Sequence, residues 1–255
     1  MDSGKFVTAG LVLRQTATKE SDYILTVLTA DGILSVIAKG ARSRRSRYSA
    51  ACQFLAYSEL TVTKKGDWVY LNEASTIELF DGVRLDFERL ALASFFAELT
   101  ETVCREQWEA SEMLSLLLNA LYALSALQKP PRLVKAAFTW RFLSAAGFAP
   151  LIDGCAICGC ESPEQPLLDV HEGVLRCGTC PATAGLSVPL SESGLAALRH
   201  ILYCPPKRLY SFTIPDQALR LLDSAGETFC TVQLERTFRT LDYYKDILPP
   251  EEITI

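Results

Sequence analysis

Histidine is scarce, with two in 255 residues, and that scarcity removes much catalytic chemistry at once. His171 and His200 form no HExxH pair, so the two-histidine helix of a zinc hydrolase is absent. There is no GxSxG nucleophile turn, no GxxxxGKS or GxxxxGKT phosphate loop, and no GxGxxG after a strand. ATP-driven motors and ligases therefore lose their phosphate cradle. Carboxylates are plentiful, but at the spacing of solvated helix faces, with no pair set apart for acid and base work. Neither catalysis nor a small-molecule substrate is expected. Long apolar runs are also missing: MLSLLLNALYALSAL (113–127) is broken by Ser115, Asn119 and Ser125, and falls short of the roughly 20 residues a spanning helix needs. The opening MDSGKFVTAG lacks the charged start and apolar run of an export leader. A cytoplasmic, membrane-free protein is the expectation.

What is present begins with strand patterning. VTAGLVLR (7–14), DYILTVLT (22–29) and GILSVIAK (32–39) are rich in Val, Ile, Leu and Thr, with Asp31-Gly32 as a hairpin turn between the last two. LAYSELTVT (55–63) and WVYLNEASTIEL (68–79) follow, joined by KKGD. Five short strands with a longer excursion after the third fit a five-stranded Greek-key barrel of the OB type. The pattern alone also admits an SH3-like barrel or a small sandwich. After Phe80 the period lengthens to 3.6: Leu92, Phe95, Phe96, Leu99 and Val103 share one helix face, with Glu98, Glu101 and Glu106 opposite. Leu114, Leu117, Leu118, Leu121 and Leu124 form a second stripe. Pro130-Pro131 precedes a third helix that closes on Gly147, Ser191 caps a fourth, and a fifth runs from Pro215 to about Ile247. The expected class is α+β multidomain: an OB-type barrel (1–80), a helical domain in two parts (81–149 and 188–255), and a cysteine-bearing module (150–187) inserted between them.

Nine cysteines without a leader argue against a disulfide framework, because the odd count leaves one unpaired and a reducing compartment is expected. CAIC, an 18-residue gap and CGTC instead make two knuckles that aim four thiolates at one point. Cys155, Cys158, Cys177 and Cys180 are the expected ligands of one zinc ion. Four thiolates leave no position for water, so the role is structural. Cobalt or iron would also suit this ligand set. Cys160 breaks the knuckle spacing, His171 in HEGVLRC reads as a solvated histidine at an expected β-turn, and Cys52, Cys104, Cys204 and Cys230 read as buried apolar residues.

The formal charge of −5 conceals a local reversal. From Gly32 to Gly66 the only acid is Glu59, against Lys39, Arg42, Arg44, Arg45, Arg47, Lys64 and Lys65, a balance of +6 that leaves −11 for the remainder. Five of these cations fall in KGARSRRSRYSA (39–50), among Tyr48, Phe54, Tyr57, Trp68 and Tyr70. On an OB barrel, such cations track phosphates and the rings stack on bases, giving sequence-tolerant, salt-sensitive binding. DNA and RNA remain alternatives, since discrimination rests on contacts to the 2′-hydroxyl. A zinc-stabilised adaptor using the basic loop for an acidic protein partner is the rival reading.

KGARSRRSRYSAACQFLAYSEL after the third strand, GFAPLIDGCAICG before the first knuckle and HEGVLRCGTC at the second together resemble the RecO family of bacterial recombination mediators, over essentially the whole chain. The resemblance implies a non-catalytic DNA repair protein of the cytoplasmic nucleoid. It would bind single- and double-stranded DNA, anneal complementary strands, and act with RecR to place a recombinase on DNA coated by single-strand-binding protein. It places DNA contact on Lys39, Arg42, Arg44, Arg45 and Arg47, with Lys64 and Lys65 beside them, and metal on the same four cysteines. It also implies contact with the acidic, apolar tail of single-strand-binding protein through the helical part. Arg132, Lys135 and Arg141 beside Phe138 and Phe142 are the candidate surface for that tail.

Overall fold

A 14-residue strand, β1 (Lys5–Thr18), opens the structure and serves two neighbours. Its first half pairs with β4 (Tyr57–Lys65) and its second with β2 (Asp22–Thr29). A register shift between Val12 and Arg14 lets one strand do both, because a bulge bends the strand and raises its twist. The chain continues through β3 (Gly32–Ala38) and, after the basic excursion, β5 (Trp68–Glu78), which pairs antiparallel with β4 and in parallel, briefly, with β3. The order β1-β2-β3-β5-β4 closes on itself, the connectivity of an OB-type barrel. The computed structural model describes residues 4–43, 45–181 and 185–249.

Alternate residues of all five strands fill the barrel: Val12, Leu25, Val27, Val36, Leu60, Val62, Val69 and Leu71 are all buried. Helices follow: α1 (Asp81–Arg84), α2 (Phe87–Val103), α3 (Ser111–Ser125) and α4 (Pro131–Ala145), then α5 (Glu192–Tyr203), α6 (Asp216–Gln233) and α7 (Arg239–Ile247). Between α4 and α5 a small sheet of β6 (Leu167–Asp169), β7 (Val174–Arg176) and β8 (Ser187–Pro189) has the order β7-β6-β8. Asp86 caps α2 by accepting from the Arg89 N–H (3.0 Å), and Ser191 caps α5 by accepting from Gly194 (3.0 Å).

Packing groups the chain into two units, one holding the residues up to Ala126 together with those from Thr240, the other Leu127–Arg239. In the first, α7 returns to α2, with the Thr240 N–H on Glu98 Oε2 (3.1 Å) and the Tyr244 hydroxyl on Glu88 Oε1 (3.3 Å). In the second, α4 packs on α6, with the Trp140 indole donating to the Leu222 carbonyl (3.0 Å) and lying 5.1 Å from the Phe229 ring.

Two periodicity readings need correction. The helix expected from Pro215 to Ile247 is two, because the chain reverses at Glu235 (φ 51°), the left-handed step that ends helices, and buries Phe238 before α7 starts. The α2 helix stops at Val103, so Glu106 is no part of its acidic face; it forms an isolated bridge with Gly32. Of the expected acids, Glu98 holds Thr240, and Glu101 pairs with Arg14 at 2.7 Å.

Candidate functional site

The connection from β3 to β4 is a series of turns fastened to the barrel. Asp22 accepts from the Gly40 N–H (2.8 Å), Gln15 donates to the Cys52 carbonyl (2.7 Å) and the Ser58 hydroxyl to the Ala51 carbonyl (3.0 Å). Ala41 and Cys52 enter the barrel core, and burial pushes the Cys52 thiol up to about 11, so it stays a neutral packing group. With Ala41, Ala51 and Cys52 turned inward, the segment exposes Lys39, Arg42, Arg45 and Arg47. Arg44 lies outside the described residues.

Rings meet these cations. Lys39 and Lys65 lie 5.2 and 6.0 Å from the Tyr70 ring, Arg42 lies 5.8 Å from Tyr23, and Arg47 lies 5.8 Å from Tyr48. The Tyr48 hydroxyl donates to the Lys39 carbonyl (3.1 Å), and Arg42 donates to the Lys19 carbonyl (3.1 Å). Trp68, in register with Lys65, is 59% exposed. Strand alternation separates the two lysines of the β4–β5 turn: Lys65 joins Lys39 at Tyr70, while Lys64 lines a different cavity with Asp67. Phe54 and Tyr57 are half-buried. Tyr23 was not among the candidates, although a hairpin turning at Asp31-Gly32 pairs it with Ala38, next to Lys39.

The other constellation is sulfur. The Sγ atoms of Cys155, Cys158, Cys177 and Cys180 lie within 4.8 Å of one another, at 3.8 Å for Cys155–Cys180 and 3.6 Å for Cys158–Cys177, a group that could hold a metal ion. In the first knuckle the Gly159 N–H donates to the Cys155 carbonyl (2.9 Å), with Gly159 at φ 74°, a conformation that suits glycine. Burial pushes the Cys155 thiol up, but N–H groups of Cys158, Cys177 and Ile157 outweigh it and bring it down to about 6. Cys177 and Cys180 are pushed upward by burial and by the neighbouring sulfurs. Four thiolates at this spacing repel one another unless a cation sits among them. Cys160 is exposed and His171 occupies the β6–β7 turn, its N–H on Asp169 Oδ1 (3.0 Å); neither belongs to the group. Arg199 ties α5 to the first knuckle through the carbonyls of Ile152 (2.8 Å), Asp153 (3.0 Å) and Glu161 (2.6 Å).

Two family models match the chain: "Recombination protein O N terminal" over residues 1–80 and "Recombination protein O C terminal" over residues 84–242. The chain belongs to the RecO family. Relatives named "DNA repair protein RecO" include that of Acetivibrio thermocellus, 31% identical over 94% of this chain and 96% of the relative. That of Anaeromyxobacter dehalogenans strain 2CP-C is 36% identical over 74% and 76%. RecO membership places the chain among DNA repair and recombination proteins. Among the described residues, no helix is long and apolar enough to cross a membrane.

Three residues of one expected surface of this RecO chain, Lys135, Phe138 and Phe142, lie inside the fold. Phe138 and Phe142, 5.3 Å apart and stacked, are fully buried. Lys135 is 3% exposed and lies 3.0 Å from Asp223 and in contact with Glu227, while Arg132 reaches Asp223 at 3.8 Å. Arg141 donates to the carbonyls of Ile201 (2.9 Å), Leu202 and Cys204 (2.8 Å) at the end of α5. These cations hold the unit together, because a helix whose apolar residues extend around its circumference has nearly every side turned inward. Lys135, Phe138 and Phe142 are therefore buried packing groups rather than surface, while Arg132 and Arg141 stay half-exposed.

Proposed function

We propose that this chain is a non-catalytic recombination mediator that binds single- and double-stranded DNA through its barrel without strong sequence preference. It anneals complementary strands and, with RecR, helps load a recombinase onto DNA coated by single-strand-binding protein at the nucleoid. The observation that carries this reading is the cation–ring surface of Lys39, Arg42, Arg45, Arg47 and Lys65 with Tyr23, Tyr48, Tyr70 and Trp68. Arginine and lysine neutralise phosphates, and an exposed indole offers a base a stacking platform. Annealing breaks no bond; cations on one surface screen two polyanions that must approach. Arg44 belongs to the proposed contact set by family resemblance, whereas Lys64, expected there too, lines a separate acidic cavity and is left out of it.

For the cysteine group we propose one structural zinc. A tetrahedron with Zn–S bonds of about 2.3 Å spaces its sulfurs about 3.8 Å apart, and the Cys158–Cys177 and Cys155–Cys180 Sγ pairs stand at 3.6 and 3.8 Å. Cys155, Cys158, Cys177 and Cys180 would hold it, and the ion would knit residues 150–187, a stretch with three-residue strands and little core of its own. The segments 1–80, 81–149, 150–187 and 188–255 are proposed as the functional division of the chain.

The test is anisotropy of a labelled single-stranded oligonucleotide across a salt series. About four neutralised phosphates give a slope of log affinity against log salt of about −3. Arg45→Ala with Arg47→Ala is expected to reduce that slope by about 1.4. Trp68→Ala is expected to weaken binding by about 1–3 kcal/mol with the slope unchanged. A folded, metal-loaded protein that does not bind at low salt would sink the DNA role and favour the adaptor.

A further inference from the structure

On another part of the same barrel unit lies a cavity of about 560 Å3 with chemistry opposite to that of the basic loop. Its lining includes five large apolar side chains, Phe6, Ile33, Leu34, Val69 and Trp108. Phe6 is 40% exposed there, a large ring left open to solvent. The same lining carries Asp31, Asp67, Glu106 and Glu109, against a single cation, Lys64. Among the described residues, none of the four acids forms a salt bridge. Glu109 accepts from the Ser111 N–H (3.1 Å) and hydroxyl at the start of α3, which leaves Asp31, Asp67 and Glu106 as the carboxylates open to a ligand.

The wall carrying Trp108 is fixed in place. The α2–α3 connection is pinned to the β2–β3 hairpin at both ends, by the Ile33 N–H on the Arg105 carbonyl (3.0 Å) and the Ala110 N–H on the Ala30 carbonyl (2.7 Å). Gly32, at φ 99°, makes this approach possible, since a Cβ there would stand 2.3 Å from the Arg105 oxygen. A cavity held open in advance loses little entropy when filled, and its size falls within the range of ligand pockets, about 300–1,000 Å3.

We propose that this groove docks a segment of a partner protein in which arginines or lysines flank one or two large apolar side chains. The apolar side chains would take the anchors, and the carboxylates would take the cations. A nucleic acid is disfavoured, because its phosphates would face a lining carrying three more negative than positive charges. The barrel thus sorts its ligands by sign: polyanion on the Lys39–Arg47 surface, basic peptide in the groove. This assignment does not rest on the DNA-binding reading.

The probe is a short fluorescent peptide alternating Arg with Leu and Phe. Two controls accompany it: one with Glu replacing Arg, the other with Ser replacing the apolar residues. The full-length, metal-loaded protein is expected to bind the first at least about tenfold more tightly than either control. Glu106→Lys with Asp67→Lys is expected to lose that preference and gain affinity for the Glu peptide. Phe6→Ala and Trp108→Ala should each weaken the first peptide, with thermal melts reporting whether each variant is folded. Arg45→Ala with Arg47→Ala should leave peptide binding intact, so failure of the DNA reading and failure of this one are separable. The proposal is overturned if the double charge reversal and the wild type bind the first peptide alike. It is equally overturned if the Ser control binds as well as the apolar peptide, or if the same carboxylates bind Ca2+ saturably while no peptide binds.

Discussion

At single positions, backbone and charge make sharp demands. Gly32→Ala would place a Cβ 2.3 Å from the Arg105 oxygen in a left-handed backbone, so a loss of about 2 kcal/mol or more is expected in urea unfolding. The Asp31-Gly32 turn is readable from the dipeptide; that Gly32 also receives the α2–α3 connection is not, since its partner lies over seventy positions away. Asp223 makes a second demand. Burial pushes its carboxyl up to about 6, against the pull of Lys135. The native state then binds more protons than the unfolded chain between about pH 4, the ordinary carboxylate value, and pH 6. Stability from this group is present below that window and falls as pH rises through it. Wild-type stability relative to Asp223→Asn should therefore decline from pH 4 to pH 6 in denaturant titrations. Parallel profiles would refute the assignment.

At the scale of elements, helix ends and turns decide the outcome. Arg141 satisfies three carbonyls at the end of α5, where the helix dipole also favours a cation. Arg141→Ala is expected to destabilise the unit by about 3 kcal/mol, and Arg141→Lys to recover only part, because an ammonium lacks the planar fork. Calorimetry of the variants would measure both. The strands were legible to within a few residues, since alternation and the Asp31-Gly32 turn set the hairpin register that also places Tyr23 beside Lys39. The α6–α7 break was not legible: its sign is a left-handed Glu235, and no glycine or proline marks it.

Across the whole chain, charge is distributed unevenly, and the small module carries a four-cysteine group that could hold a metal ion. Chelation is expected to open residues 151–180, read as accelerated hydrogen exchange. The free energy lost is expected to approach that of zinc peptides, about 10 kcal/mol. Cys177→Ser should mimic the effect. The +6 segment within an acidic chain was visible from counting, but its division by strand alternation into Lys65 beside Tyr70 and Lys64 in an acid-lined groove was not.

Local patterning alone determined the five strands, the helical remainder, the two cysteine knuckles and the cationic loop, because strand alternation, knuckle spacing and charge runs are properties of neighbouring residues. Closure of the strands into a barrel rests instead on the pairing of β3 with β5. Tertiary structure decided which side chains share a surface. It turned Phe138, Phe142 and Lys135 inward on α4, brought Tyr23 to Arg42, and built the groove between Phe6 and Trp108. Each of these depends on which faces of the chain are covered by segments far away in sequence, and burial of apolar surface is settled only when the whole chain packs.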